Sequence, residues 1–301
     1  MQRIPLLFAL FVCTLISSCS SNYIRFFRDA AFNPPQVEEL KNLTGERIDL
    51  YSIEVGEGAK EVIFFVSGSG CASLSYFMRW YFSGMKGAWK IYAVQKAGVS
   101  QSSAGVSCTR AFHDQYDFET LKARNDAALQ FVAQRHGKVS LVGVSEGGQI
   151  AGELAQDNPS VKALVLIGTG GLPFRKAGLI LDSKNHTDTF RNAFEAVEAD
   201  PVSMTKKTLG WPRRYWSFLL DRDPLPVYLS LKLPILAVFG ELDQSVPLES
   251  MLFMKNAFEQ ANKTNLEVRV VPDASHTLVA NGTDQKPLIM AVVSEFLRNR
   301  H

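Results

Sequence analysis

Six short apolar runs recur along the 301 residues, and they are continuous rather than alternating with polar side chains. They fall at residues 61–66 (EVIFFV), 90–94 (KIYAV), 139–144 (VSLVGV), 161–167 (VKALVLI), 235–239 (ILAVF) and 266–271 (LEVRVV). A strand with one wet face reads in period two, whereas a continuous run is buried on both faces, as in a parallel sheet. Helix-length segments separate the runs. Phe118, Leu121, Asn125, Ala128, Leu129 and Val132 follow helical spacing, and Gly137 stops them. Further helices are expected at residues 149–157, near 248–261 and at 287–300, and Phe77, Trp80, Tyr81 and Phe82 pack another on the sheet. The pattern predicts an α/β fold, a mostly parallel sheet with helices on both faces.

One stretch breaks the rhythm. Between residues 169 and 233 no sheet strand is legible, while helical signals gather near 188–199 and Trp211, Tyr215, Trp216 and Phe218 form an aromatic group. This reads as a helical cap inserted over one end of the sheet. Residues 19–45, with Asn33-Pro34-Pro35, read as a tether, which leaves residues 46–301 as the domain. Lys and Arg number 32 against 30 Asp and Glu, with no basic block, which argues against a nucleic-acid partner. No metal-ligand spacing, nucleotide loop or cofactor motif occurs, so neither a metal nor a cofactor is expected. Nothing in the sequence speaks to oligomeric state.

The N-terminus has its own logic. Arg3 precedes a thirteen-residue apolar run at residues 4–16, too short for the roughly 20 residues that span a bilayer but suited to a secretory signal. Ser17 and Ser18 are small residues at the cleavage position, and Cys19 follows. Ile16-Ser17-Ser18-Cys19 resembles the bacterial lipobox, which implies that residues 1–18 are removed and Cys19 is acylated. Ser20, rather than Asp, then implies an outer-membrane protein facing the periplasm. Acyl chains hold such a protein firmly, since each buried CH₂ contributes roughly 0.8 kcal/mol. The body keeps Cys71 and Cys108, in an oxidising compartment. A bridge between them would close a loop of about 38 residues and contribute roughly 3–4 kcal/mol; two buried free thiols are the other reading.

The chemistry centres on Gly143-Val144-Ser145-Glu146-Gly147. Gly98-Val99-Ser100 and Gly105-Val106-Ser107 repeat the tripeptide but lack the second glycine. Ser145 alone lies between a buried strand and a helix, where a tight elbow exposes the hydroxyl at a helix N-terminus that favours negative charge. A serine hydroxyl needs a base. Among the five histidines, His276 in Pro272-Asp273-Ala274-Ser275-His276 directly follows the last strand, at the same sheet edge. The imidazole needs a carboxylate to fix its tautomer. Asp243, after the strand at 235–239, is the candidate, with Glu241 the nearest rival and Asp221 and Asp223 more remote.

The order Ser145, Asp243, His276, each after a strand, makes residues from about 45 to 300 resemble the α/β-hydrolase superfamily. The likeness rests on GVSEGG, GELDQSVP and PDASH. It implies a serine hydrolase that cleaves an ester, thioester or amide through an acyl-Ser145 intermediate. It also implies an oxyanion hole formed by the backbone N–H of Glu146 and one from the loop after the strand at 61–66. There Ser67-Gly68-Ser69-Gly70 offers the Ser69 N–H, with Gly70 or Cys71 as alternatives. Gln95-Lys96-Ala97-Gly98 departs from the Asp and Arg that many relatives carry around this turn, which puts a local salt bridge in doubt. A non-catalytic envelope binding module and an acyltransferase using the same acyl-enzyme are the competing functions. The partners implied are a small-molecule or acyl substrate and a membrane met through the lipid. We predict that mass spectrometry of the mature N-terminus finds an acylated Cys19 and that globomycin blocks processing; an unmodified start at another residue would remove the anchor.

Overall fold

The computed structural model describes residues 32–42 and 44–299. Residues 1–18, Cys19 and His301 lie outside the described residues. Two strands open the chain, β1 (Gln36–Lys41) and β2 (Arg47–Val55), followed by β3 (Glu61–Val66), α1 (Leu74–Tyr81) and β4 (Trp89–Val94). Next come α2 (Arg110–Asp114), α3 (Phe118–His136), β5 (Val139–Val144), α4 (Glu146–Asp157) and β6 (Val161–Ile167). The insertion supplies α5 (Phe174–Asn185), α6 (Thr189–Ala199), α7 (Arg213–Leu219) and α8 (Leu225–Ser230), with a two-residue ladder between Lys207–Thr208 and Trp211–Pro212. The chain returns to the sheet through β7 (Ile235–Gly240), α9 (Leu248–Gln260), β8 (Leu266–Val271) and α10 (Lys286–Arg298).

The eight strands form one sheet in the order β1-β2-β4-β3-β5-β6-β7-β8. The β1/β2 and β2/β4 pairs are antiparallel and every later pair is parallel. The strands expected at 61–66, 139–144, 161–167 and 266–271 form with those limits, and those at 90–94 and 235–239 differ by one residue. Side chains of each strand alternate between two cores. Phe64, Leu141, Leu164 and Ala237 meet Leu121, Leu129, Ile150 and Leu154 of α3 and α4. Ile63, Val142, Val165 and Leu236 meet Leu74 and Met78 of α1 and Met290, Val293 and Leu297 of α10. Each such apolar side chain taken from water contributes roughly 1.5–3 kcal/mol, so double coverage explains why the runs do not alternate.

Local signals set the helix limits. Asp117 caps α3 by accepting from Thr120 N at 2.9 Å, and Gly137 ends it at a φ of 79°. In the cap, the buried Asp182 at the end of α5 accepts from the Phe190 and Arg191 N–H groups at 3.1 and 2.8 Å, which joins α5 to α6. Phe174 stacks on Trp216 with centroids 4.7 Å apart, packing α5 against α7.

β1 lies inside residues 19–45, the stretch that reads from sequence as a tether. Gln36 to Lys41 pair with Ser52 to Arg47, and Glu38 makes two 2.9 Å bonds to Arg135 of α3. Its polar side chains belong to an exposed edge strand, where charge guards against unwanted pairing. Cys71 and Cys108 form a disulfide that ties the segment after β3 to the segment after β4. Beside it Ser73 N donates to Ser103 O at 2.8 Å, and Ser103 Oγ donates to Cys71 O at 2.7 Å. Replacing both cysteines by serine should lower stability by roughly 3–4 kcal/mol, read as a fall in the urea midpoint, with a steeper slope as the unbridged denatured chain expands.

Candidate active site

Ser145 occupies the one-residue junction between β5 and α4 at φ 53° and ψ −123°, a strained conformation for a residue with a side chain. The neighbouring glycines make the junction sterically attainable. A Cβ on Gly143 would lie 2.6 Å from Gly147 O, and one on Gly147 would lie 2.2 Å from Val66 O. The elbow is tied to β6: Ser145 N donates to Ile167 O at 2.8 Å, and Thr169 Oγ1 donates to Ser145 O at 2.7 Å.

His276 and Asp243 meet as the strand order requires. His276 Nδ1 lies 2.6 Å from Asp243 Oδ2, and the Asp243 side chain is wholly buried. Asp243 Oδ1 accepts from the N–H groups of Ser245 and Val246 at 2.8 and 2.9 Å. These two donors and the imidazole satisfy a carboxylate that burial would otherwise penalise. The rivals are engaged elsewhere. Glu241 is exposed and accepts from Asp273 N at 3.2 Å, Asp221 pairs with Arg175, and Asp223 accepts from Leu225 N. Gly168 closes one side: a Cβ there would lie 3.0 Å from His276 Cε1.

The loop after β3 packs directly on the elbow. A Cβ on Gly68 would approach Val144 O at 3.0 Å and Ser145 Cβ at 3.3 Å. Ser69 is exposed to the same cavities as Ser145, and among the described residues its N–H meets no backbone acceptor. Glu146 opens α4, where a first-turn N–H has no partner within the helix. Ser69 thus shares both cavities with Ser145, and Glu146 follows it in the chain.

Two cavities share Ser69, Ser145 and His276. One, of about 280 Å³, runs under the cap between Leu172, Phe174, Phe190, Trp211, Tyr215 and Trp216. The other, of about 410 Å³, is lined by Phe65, Phe77, Trp80, Tyr81 and Leu278. Of the cap aromatics, Phe218 does not line the cavity and is partly exposed. Phe82 is buried in the core beneath α1.

A buried polar cluster went unrecognised in the sequence. Lys96 Nζ donates to Gly68 O at 2.5 Å and lies 3.3 Å from Glu146 Oε2, with the two side chains 9% and 3% exposed. Tyr116 OH donates to the same Glu146 oxygen at 2.7 Å, and its ring stacks on Tyr215 at 4.7 Å. Burial pushes the Lys96 pKa down against the opposing pull of Glu146. Burial, reinforced by Glu146, raises both tyrosines well above their ordinary value, so both remain protonated donors. Only the unexpected Gln95-Lys96 in place of the common Asp pattern hinted at this. Gln95 itself is buried and accepts from Leu74 N at 2.8 Å, fixing the start of α1 without an ion pair.

A strained serine at a strand–helix elbow, beside a histidine held by a buried carboxylate, is an arrangement that can support nucleophilic acyl chemistry. The alpha/beta hydrolase family matches residues 63–285, and the chain belongs to it. A curated relative is the esterase EstD of Thermotoga maritima, 21% identical over 208 residues, which cover 64% of this chain and 48% of that protein. The curated relatives matched are thus spanned over about half their length or less. Solved structures of similar fold include a Pyrococcus furiosus esterase (TM-score 0.60, 14% identity, 91% of this chain and 93% of that one). Est1E of Butyrivibrio proteoclasticus aligns at TM-score 0.59 and 12% identity, over 89% and 99% of the two chains. The acylaminoacyl peptidase of Pyrococcus horikoshii aligns at 0.58 and 15% identity over 91% of this chain but 43% of its own.

The close packing around the elbow makes a steric prediction. Gly147→Ala forces a methyl group against the Val66 and Ser67 carbonyls and should destabilise the fold by roughly 1–3 kcal/mol, with a matching drop in thermal midpoint. An alanine variant as stable as the parent would contradict the contact.

Proposed function

We propose that the protein is a serine hydrolase cleaving a carboxylic ester, thioester or amide through an acyl-Ser145 intermediate. The observation that carries this reading is the 2.6 Å His276–Asp243 contact at the same cavity as the strained Ser145. In the proposed mechanism His276 Nε2 takes the Ser145 proton as Oγ attacks the substrate carbonyl. Asp243 holds the Nδ1 proton and stabilises the imidazolium. The Ser69 and Glu146 N–H groups receive the oxyanion, a role in which one donor in other enzymes is worth roughly 3–4 kcal/mol. His276 then protonates the leaving group, and water repeats the sequence in reverse. The mainly apolar and aromatic side chains that the cap contributes to the cavity, Phe174, Phe190, Trp211, Tyr215 and Trp216 among them, favour a substrate with an apolar acyl or aryl group over a charged one.

We also propose that the chain is anchored in the bacterial envelope through a lipid on Cys19. The lipobox-like sequence supports this, and so does the Cys71–Cys108 bridge, which suits an exported protein. Among the described residues no helix is long and apolar enough to cross a membrane. A fluorophosphonate probe should label the wild type and not Ser145→Ala. Esters of graded chain length should be hydrolysed with a preference for apolar acyl groups that weakens in Trp211→Ala. A folded wild type that takes no label would overturn the hydrolase reading.

A further inference from the structure

We propose that Lys96 is a positioning residue for the oxyanion site, its buried ammonium holding in place both backbone segments that supply the donors. The proposal rests on the reading that Ser145 is acylated. Gly68 O and Ser69 N belong to one peptide unit, and the described chain contains no cis peptide bond. In a trans peptide the C=O and the N–H point in opposite directions. Lys96 grips the Gly68 carbonyl at 2.5 Å, so the Ser69 N–H is turned to the far side of the same plane. Ser69 borders both cavities beside Ser145.

The second contact of the ammonium reaches Glu146, whose own N–H is the other donor. Tyr116 completes the clamp by donating to the same carboxylate oxygen, and Lys96 lies 4.9 Å from the centre of its ring. One side chain thus couples the loop after β3 to the first residue of α4. The charge also matters chemically. An ammonium bonded to a carbonyl polarises the peptide and makes its N–H a stronger donor to a developing oxyanion. A buried ion pair is seldom more stabilising than apolar side chains of equal volume. An apolar residue at position 96 would lack any means of holding Gly68 O.

The test uses the full chain and a panel of p-nitrophenyl esters, with fluorophosphonate labelling of the wild type as reference. Lys96→Met should lower kcat roughly ten- to a hundred-fold, less than the roughly 10²–10³-fold for loss of a whole oxyanion donor, with KM changed no more than about twofold. Affinity for an alkyl trifluoromethyl ketone, whose adduct on Ser145 loads the oxyanion site, should fall in the same proportion. The double variant Lys96→Met/Glu146→Gln removes the stranded carboxylate and should remain folded while keeping the loss in kcat. Unchanged kcat and ketone affinity in a labelled, active background would overturn this proposal alone. A rise in KM with normal kcat would make Lys96 a substrate ligand instead, and recovery in the double variant would reduce it to a charge partner. An unlabelled, inactive wild type would overturn the hydrolase reading and this proposal with it.

Discussion

The distance at which α4 can pass the end of β3 governs the whole C-terminal edge of the sheet. Gly147 sits so close to the Val66 carbonyl that no side chain fits, and Gly143 is equally hemmed in by Gly147 and Gly148. The chain must therefore leave β5 and begin α4 within the single residue Ser145, at a positive φ. Such strain costs about 1–3 kcal/mol. Ile150 and Leu154, both almost wholly buried on the face of α4 that meets the sheet, offset it at roughly 1.5–3 kcal/mol each. The exposed hydroxyl is a consequence of packing, with no help from a side-chain cap on the helix.

Parallel strands deliver the partners. In this sheet every strand from β3 onwards runs the same way, so the segments after β3, β5, β7 and β8 converge at one edge. The carboxylate and imidazole loops are then fastened to each other by backbone. Leu242 N donates to Ala274 O at 2.9 Å, and a Cβ on Gly240 would sit 2.4 Å from that same oxygen. Glu241, the rival read from sequence, joins the fastening through Asp273 N. Its role is to brace the histidine loop, and that leaves the buried Asp243 to face the ring.

How far the sequence spoke depended on whether a residue's task leaves a periodic trace. The inner parallel strands were legible because burial on both faces demands unbroken apolar runs, whereas β8, a half-exposed edge strand, was legible through Val268, Val270 and Val271 despite Glu267 and Arg269. β1 was not, because Glu38, Glu39 and Lys41 of an exposed edge strand read like a linker. β2 mixes Asp49 and Glu54 among its apolar residues and makes only antiparallel contacts, so it too left no continuous run. Ser145, His276 and the acidic loop were found by their position after strands. Lys96 and Tyr116 were not, since a lone buried lysine and a lone tyrosine carry no spacing. Their partner Glu146 was noticed for its backbone while its side chain went unread.

The same cluster links the cap to the nucleophile. Tyr215 of α7 forms part of the wall of the first cavity, stacks within 3° of parallel on Tyr116, and through it reaches Glu146 at the head of α4. Trp216, its neighbour, is held by Phe174 of α5 and donates its indole N–H to Thr208 O at 2.6 Å. The cap is therefore keyed to the elbow by aromatic stacking and one buried carboxylate, and the two cavities meet at Ser69, Ser145 and His276. In the proposed acyl transfer, a substrate carbonyl carbon attacked by Ser145 Oγ carries two arms besides its oxygen, the acyl group and the leaving group. Under the proposed chemistry, two mainly apolar chambers that meet at Ser145 offer room for both arms at once, one under the cap beside Tyr215 and Trp216 and one beside Phe77, Trp80 and Tyr81.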